Sequence, residues 1–199
     1  MNNCIFSGHC TRMICDNSCP VYVESKYLLE RNNIPISSSV FSQTVESLNR
    51  CQSILESAKT RNLVTVPTSD TNELSNNLTY CAVCQNWKGS QLHCTVYNLK
   101  FYKFIELTKK SWSNSSDSTE LEYMNIWAQS AKVLIISNLD FVNFKTFECQ
   151  TLLNLLQSRQ TEGKSTIVVS PKISSLVGSN ESPFFSLLTN MLSKAVVKG

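Results

Sequence analysis

Short apolar runs alternate with helical patterns in the second half of the chain. Residues 132–136 and 165–169 are continuous runs of aliphatic and β-branched residues, typical of strands buried on both faces. Between them, residues 147–159 have the spacing of an amphipathic helix, and Gly163 marks the turn into the second run. This order of strand, helix and strand predicts a parallel sheet covered by helices.

The remaining residues also show short apolar runs and stretches with helical spacing. Helical spacing predicts further helices at residues 21–31, 40–59, 119–131 and 184–197. Short runs predict strands at residues 63–66 and 78–84, and residues 100–105 have an alternating, strand-like pattern before a helix through Trp112. The polar residues 68–77 are expected to form a surface loop. We therefore expect an α/β fold with a layered parallel sheet flanked by helices, from about residue 60 onward.

Composition and charge limit the functional classes. The 199 residues are 42% hydrophobic, enough for one ordinary domain and a small appendage. The net charge of +3 is too small to hold the chain on nucleic acid by electrostatics alone, so any DNA contact must be local. Lys103, Lys109 and Lys110 are candidate phosphate contacts, with a solvated helix face as the alternative. With neither a membrane span nor signal-peptide features, the protein is expected in the cytoplasm, without a membrane partner.

Four cysteines lie close together near the N-terminus, at Cys4, Cys10, Cys15 and Cys19, in the spacing C-x5-C-x4-C-x3-C followed by Pro20. Four thiolates this close can hold zinc in a tetrahedral site. They can equally hold an iron–sulfur cluster, in which a last cysteine followed by proline is common. Free thiols are the third interpretation. Because this stretch has little apolar periodicity, we expect a bound metal to order it, and we define residues 1–31 as a cysteine-rich metal-binding segment.

The other cysteines are more ambiguous. Cys81, Cys84, His93 and Cys94 also have ligand-like spacing. The alternative is that cysteines in this stretch are buried as small apolar residues. Cys51 and Cys149 lie on apolar helical faces and are expected in the core.

Residues 132–140, a following helix, and residues 163–170 resemble the Walker B to sensor 1 region of bacterial and phage replicative-helicase loaders, which belong to the AAA+ class. The resemblance extends over residues 33–199, from Asn33-Ile34-Pro35 to Leu192-Ser193-Lys194, which lies where that family has a Ser-Arg finger. It implies a AAA+-like, P-loop-like fold and a replicative helicase or helicase-loader ATPase as partner. Some loaders carry an N-terminal zinc-binding domain that contacts the helicase, which would give residues 1–31 a matching role.

The departures from this family concern its ATPase residues. No G-x-x-x-x-G-K-[ST] phosphate loop is present, and residues 85–90, which follow the strand expected at 78–84, contain a single glycine. Ser137 and Asn138 replace the paired Walker B acids, Pro171 stands at the sensor position, and Lys194 replaces the finger arginine. We therefore expect a degenerate ATPase domain without catalytic residues, and not an enzyme.

Two functions from different classes follow. The first is a non-catalytic DNA-replication adaptor, from a phage or mobile element, that binds a replicative helicase or a loader ATPase, and that contacts DNA only locally if at all. The second is an iron–sulfur protein with a redox or regulatory role, in which the N-terminal cluster is the functional centre. The alternative to both is a generic α/β domain, because the fold alone does not imply either function.

Overall fold

The structure is a computed structural model and describes residues 18–34, 43–86, 96–113, 118–171 and 183–197. Four strands are present in this part of the chain: β1 Leu63–Pro67, β2 Val96–Lys100, β3 Val133–Ser137 and β4 Ser165–Ser170. Seven α-helices surround them: α1 Pro20–Arg31, α2 Val45–Arg61, α3 Thr71–Asn86, α4 Phe101–Ser111, α5 Ser118–Ser130, α6 Thr146–Thr161 and α7 Pro183–Lys194.

The four strands form one parallel sheet in the order β1-β4-β3-β2. The two runs most evident in the sequence, β3 and β4, are direct neighbours, with Val133 opposite Ser165. The predicted α/β fold with a parallel sheet flanked by helices is thereby confirmed. The strands are almost entirely buried, which explains why their sequences are continuous apolar runs rather than alternating ones.

The strand order determines which helices cover each face. The connection from β1 to β2 runs from one edge of the sheet to the other. The connections from β2 to β3 and from β3 to β4 run in the opposite direction, each to the neighbouring strand. Because parallel crossovers are right-handed, these opposite directions place their helices on opposite faces. The packing of the core residues matches this arrangement. Val133 and Ile135 of β3 pack with α1, α2 and α3, and Leu134 and Ile136 pack with α4 to α7.

A buried arginine joins the sheet to α5 and α6. Arg159 of α6 is fully buried and donates from Nε to the Thr166 hydroxyl at 2.9 Å. Its terminal nitrogens donate to the carbonyl oxygens of Ala128, Ala131 and Ser165 at 2.7–2.9 Å. Burial lowers the pKa of Arg159 to about 10, so the guanidinium stays charged at neutral pH. Within the described residues no carboxylate forms an ion pair with this guanidinium, and main-chain and hydroxyl oxygens accept its hydrogen bonds instead.

Three predicted elements are wrong, one loop and two strands. Residues 71–86 form helix α3, and not a loop over 68–77 followed by a strand over 78–84. Leu74, Leu78, Cys81 and Ala82 have helical spacing and are buried. The first half of the helix is mainly polar and its second half, residues 78–84, is a short apolar run, so the two halves resemble a loop and a strand. The alternating pattern over 100–105 is likewise wrong as a strand, since β2 ends at Lys100 and helix α4 begins at Phe101.

The remaining predicted elements are confirmed within one to a few residues where the structure describes them. They are the helices α1, α2, α5, α6 and α7 and the strands β1, β3 and β4. Gly163, the predicted turn, has a left-handed backbone with φ of 66°. Val197 donates its N–H to the Thr65 carbonyl at 3.0 Å, so the residues after α7 cover part of the outer edge of β1.

Candidate functional site

A cleft of about 590 Å³ lies at the carboxyl edge of β2 and β3. In open parallel sheets, ligands bind beyond the carboxyl ends of the strands, and this volume is within the range of small-ligand sites. The cleft is lined by Asn33, Asn72, Lys100, Tyr102, Lys103, Asn138 and Phe141. These residues come from the end of α1, the first turns of α3 and α4, and the turn after β3. The cleft is therefore a candidate ligand site in the described part of the chain.

Neutral hydrogen bonds connect the residues that build this edge of the sheet. The N–H of Asn98 donates to Asn32 Oδ1 at 2.6 Å, and the Ser137 hydroxyl donates to Asn98 Oδ1 at 3.2 Å. Asn138 donates from Nδ2 to Asn72 Oδ1 at 3.1 Å. Asn138 has a left-handed backbone with φ of 59°, a conformation that asparagine tolerates well. Ser137 and Asn138 thus belong to a hydrogen-bonded network of amide and hydroxyl groups.

Lys100 brings a positive charge to the cleft wall. Its Nζ lies 3.2 Å from Ser75 Oγ and 3.5 Å from Asn72 Oδ1, and both of these acceptors are neutral. Burial lowers the pKa of Lys100 to about 8, so most of the side chain remains protonated at pH 7. Among the described residues, no carboxylate forms an ion pair with it. Lys103, the second lysine of the cleft, is already paired with Glu120.

A second pocket, of about 440 Å³, adjoins the cleft and shares Asn33, Lys100 and Lys103 with it. Its wall is aromatic. The Arg31 guanidinium carbon lies 4.4 Å from the centroid of the Trp127 ring, and Tyr123 stacks on the same ring at 5.5 Å. Burial also raises the pKa of a further wall residue, Tyr97, to about 12, so its hydroxyl stays protonated. The two pockets together form a surface of amides, lysines and aromatic rings.

The predicted N-terminal metal site falls largely outside the described residues. Cys4, Cys10 and Cys15 are not among them, whereas Cys19 is the residue before α1 and has a buried, free thiol. No group of three or more His, Cys, Asp or Glu side chains suited to a metal is found within the described ranges. Zinc or an iron–sulfur cluster at these four cysteines therefore stays a prediction.

Cys81, from the second cysteine group, lies on α3 and is buried in the core. A hydrogen bond from the Cys81 thiol to the sulfur of Cys51 on α2 lowers the pKa of Cys51, although burial opposes the change. This packing favours the apolar alternative for Cys81. The side chain of Cys84 and residues 93–94 lie outside the described part of the chain. Cys51 and Cys149 are fully buried free thiols, which confirms their predicted core positions.

The candidate phosphate-contacting lysines have mixed surroundings. Lys103 pairs with Glu120, and Lys109 pairs with the buried carboxylate of Glu148. The charges of these two lysines are thus locally compensated. Lys110 is exposed in the last turn of α4. Sequence reasoning did not select Lys100, the last residue of β2, which lines the cleft. The strand β2 was not predicted, so no signal in the sequence marked this position.

Residues 85–90 do not follow a strand, because the strand predicted at 78–84 is part of helix α3. The strand that precedes this helix is β1, and a short turn joins the two. The turn consists of residues 68–70 and has no glycine. The carboxylate of Asp70 accepts a hydrogen bond from the N–H of Glu73 at 2.9 Å and so caps α3. A carboxylate occupies the helix N-terminus where a phosphate loop would place a phosphate.

No protein-family model matches this chain, and no curated protein matches it either. Within the described residues, no helix is both long and apolar enough to cross a membrane.

Proposed function

We propose that this chain is a non-catalytic adaptor of DNA replication that binds a replicative helicase or a helicase-loader ATPase. The observation that carries the proposal is the polar edge of the sheet, where ATPase chemistry would lie. Ser137 and Asn138 form neutral hydrogen bonds there, and Asp70 caps the helix that follows β1. The two segments that carry the loader resemblance include the neighbouring strands β3 and β4, which supports a common origin for the scaffold.

The same residues argue against nucleotide binding. A phosphate loop needs glycine amides and a lysine around the phosphates, and the Walker B acid holds magnesium. Here the turn lacks glycine, its carboxylate would repel phosphate, and the strand end offers amide and hydroxyl groups. An α/β scaffold of this kind retains surfaces for protein binding but not the groups for hydrolysis.

Two measurements on the full chain test the proposal. The purified protein, melted with and without ATP and magnesium, should show no change in Tm; a ligand at 100 times its Kd would raise it by roughly 5–10 °C for a chain of this size. The immobilised protein should also retain the purified replicative helicase, or the loader ATPase, encoded in the same genome. A clear ATP-dependent shift, or failure to retain either partner, would contradict the proposal.

The N-terminal cysteines are assigned to docking within this proposal. The double variant Cys10→Ser, Cys15→Ser removes two of the four predicted ligands and should lose both the metal and helicase capture. The melting of the α/β domain should change little, because its core lies in α1 to α7 and the sheet. If the variant captures the helicase as well as the wild type does, these cysteines are not required for docking.

The iron–sulfur alternative is favoured by one feature, the Cys15-x3-Cys19-Pro20 ending. Protein purified without oxygen distinguishes the two metals. Brown protein that absorbs at about 400 nm, where thiolate-to-iron bands fall, supports a redox or regulatory iron–sulfur protein. Colourless protein with one zinc per chain supports the structural docking segment.

A further inference from the structure

We propose that the cleft at the carboxyl edge of β2 and β3 binds an acidic side chain of a partner protein, with its carboxylate at Lys100 and a neighbouring apolar residue on Tyr102 and Phe141. The inference rests on the proposed function, since it names the chemistry of the partner. It goes beyond that function by locating a docking site in the α/β domain, separate from the N-terminal cysteines.

The charge of the cleft fits one carboxylate. Lys103 is compensated by Glu120, so Lys100 is the lysine of the cleft wall without an ion pair in the described ranges. Asp140, beside Phe141, is exposed and does not line the cleft. The neutral oxygens of Ser75 and Asn72 accept two hydrogen bonds from the Lys100 ammonium group and do not neutralise its charge. A group with a single negative charge would form the missing ion pair with Lys100.

The amides near the lysine add hydrogen-bonding capacity. Asn33, Asn72 and Asn138 all line the cleft, and Asn72 Oδ1 already accepts from Asn138. Amide groups can bond both the carboxylate and the main chain of an extended peptide. The cleft therefore has polar groups that suit a peptide segment, and its described lining residues include neither an arginine nor a glycine, the residues typical of phosphate sites.

The outer wall of the cleft is aromatic and accessible. Tyr102 and Phe141 are 38% and 66% exposed, and their ring centroids lie 6.0 Å apart. Accessible aromatic rings beside a charged group are typical of the residues that dominate protein–protein binding energy. An apolar partner residue next to the acidic one would cover both rings. Without such a partner, these two large apolar side chains face solvent.

Single-stranded nucleic acid is the competing ligand, because its bases stack on aromatic rings and its phosphates bind lysines. Such sites follow the backbone with several cations. Here Lys103 and Lys109 are occupied by Glu120 and Glu148, and the chain carries only +3 overall. The local charge thus favours a single acidic side chain over a polyanion.

The test uses the full-length protein and two fluorescein-labelled probe peptides. One carries Leu-Asp-Phe between Gly and Ser residues, and the other carries Leu-Asn-Phe. Fluorescence polarisation should show saturable binding of the aspartate peptide, weakened about tenfold in the asparagine peptide and in Lys100→Met, the usual loss for one charge-assisted hydrogen bond. Lys110→Met is the matched control and should bind as the wild type does. Phe141→Ala, at an exposed position, should also weaken binding while leaving the melting temperature unchanged.

Three outcomes would overturn the inference. They are the absence of saturable binding, equal binding of both peptides, and displacement of the probe by a dT oligonucleotide in a manner that depends on Lys100. Capture of the purified helicase separates this inference from the proposed function. If wild type and Lys100→Met capture it equally, the cleft is not the docking site although the adaptor function stands. If neither captures it but the aspartate peptide binds, the cleft stands and the adaptor function fails.

Discussion

Replacing Lys100 by Met should stabilise the protein at neutral pH, because the folded state holds its ammonium group in a poorly hydrated position. Folding lowers the pKa of Lys100 from 10.5 to about 8 through burial. At 1.36 kcal/mol for each tenfold change in proton affinity, this fall corresponds to at most about 3 kcal/mol against the charged form. Methionine has a similar length and no charge, so it should recover part of that free energy. The lost hydrogen bonds to Ser75 and Asn72 reduce the gain to about 1–2 kcal/mol.

The sign of the pH dependence follows from the two pKa values. Below pH 8 the lysine is protonated in both states, so its full unfavourable contribution is present and constant. Between pH 8 and 10.5 the unfolded chain binds more protons than the folded one, and the free energy of unfolding therefore rises with pH. Lys100→Met removes this rise, so the stability advantage of the variant should shrink as the pH approaches 9.5.

Urea unfolding of both proteins at pH 7, 8, 9 and 9.5 measures the effect. The difference between wild type and variant must be taken at each pH, because other groups titrate in both proteins. Burial raises the pKa of Cys149. Burial also raises the pKa of Tyr97 to about 12, so this residue changes the free energy of unfolding mainly above pH 10. A difference that does not change between pH 7 and 9.5 would refute the reasoning, as would a variant that is less stable than the wild type at pH 7.

The remaining predictions concern buried ionic groups and the metal. Arg159→Met should cost about 3–5 kcal/mol in urea unfolding, since it leaves several buried oxygens without donors; a loss below 1 kcal/mol would contradict this. Burial opposes ionisation of Glu148, but Lys109 and main-chain amides hold its pKa below the usual range. Glu148→Gln should therefore destabilise the protein above pH 4.5, and less as the pH falls towards 3, whereas Glu56→Gln, in an exposed ion pair, should change stability little. Cys15→Ser should lower the metal content measured by elemental analysis; full retention would remove Cys15 from the ligand set.

Much of the fold could be predicted because its strands are buried on both faces. Residues 133–137 and 165–170 lie at the centre of the sheet, so their apolar runs have few competing interpretations. Helix α3 was missed because its buried residues are separated by Asn and Ser, which weaken a helical pattern over a short window. Its boundaries depend on the Asp70 cap and on packing against α2, which a seven-residue window does not contain.

The candidate site could not be predicted, because it depends on the order of the strands. The sequence pattern placed Lys100 at the start of a strand-like stretch, whereas it is the last residue of β2, and the pairing of β2 with β3 brings it to the same edge as Asn138. Asn72 joins them because α3 begins at this edge before it crosses the sheet. Because α3 was predicted as a loop and a strand, the segment compared with a phosphate loop was 85–90 and not the turn before α3. That turn, at residues 68–70, contains no glycine, and the carboxylate of Asp70 caps the helix there. Ser137 and Asn138 form the neutral hydrogen-bond network at the same edge of the sheet as Lys100.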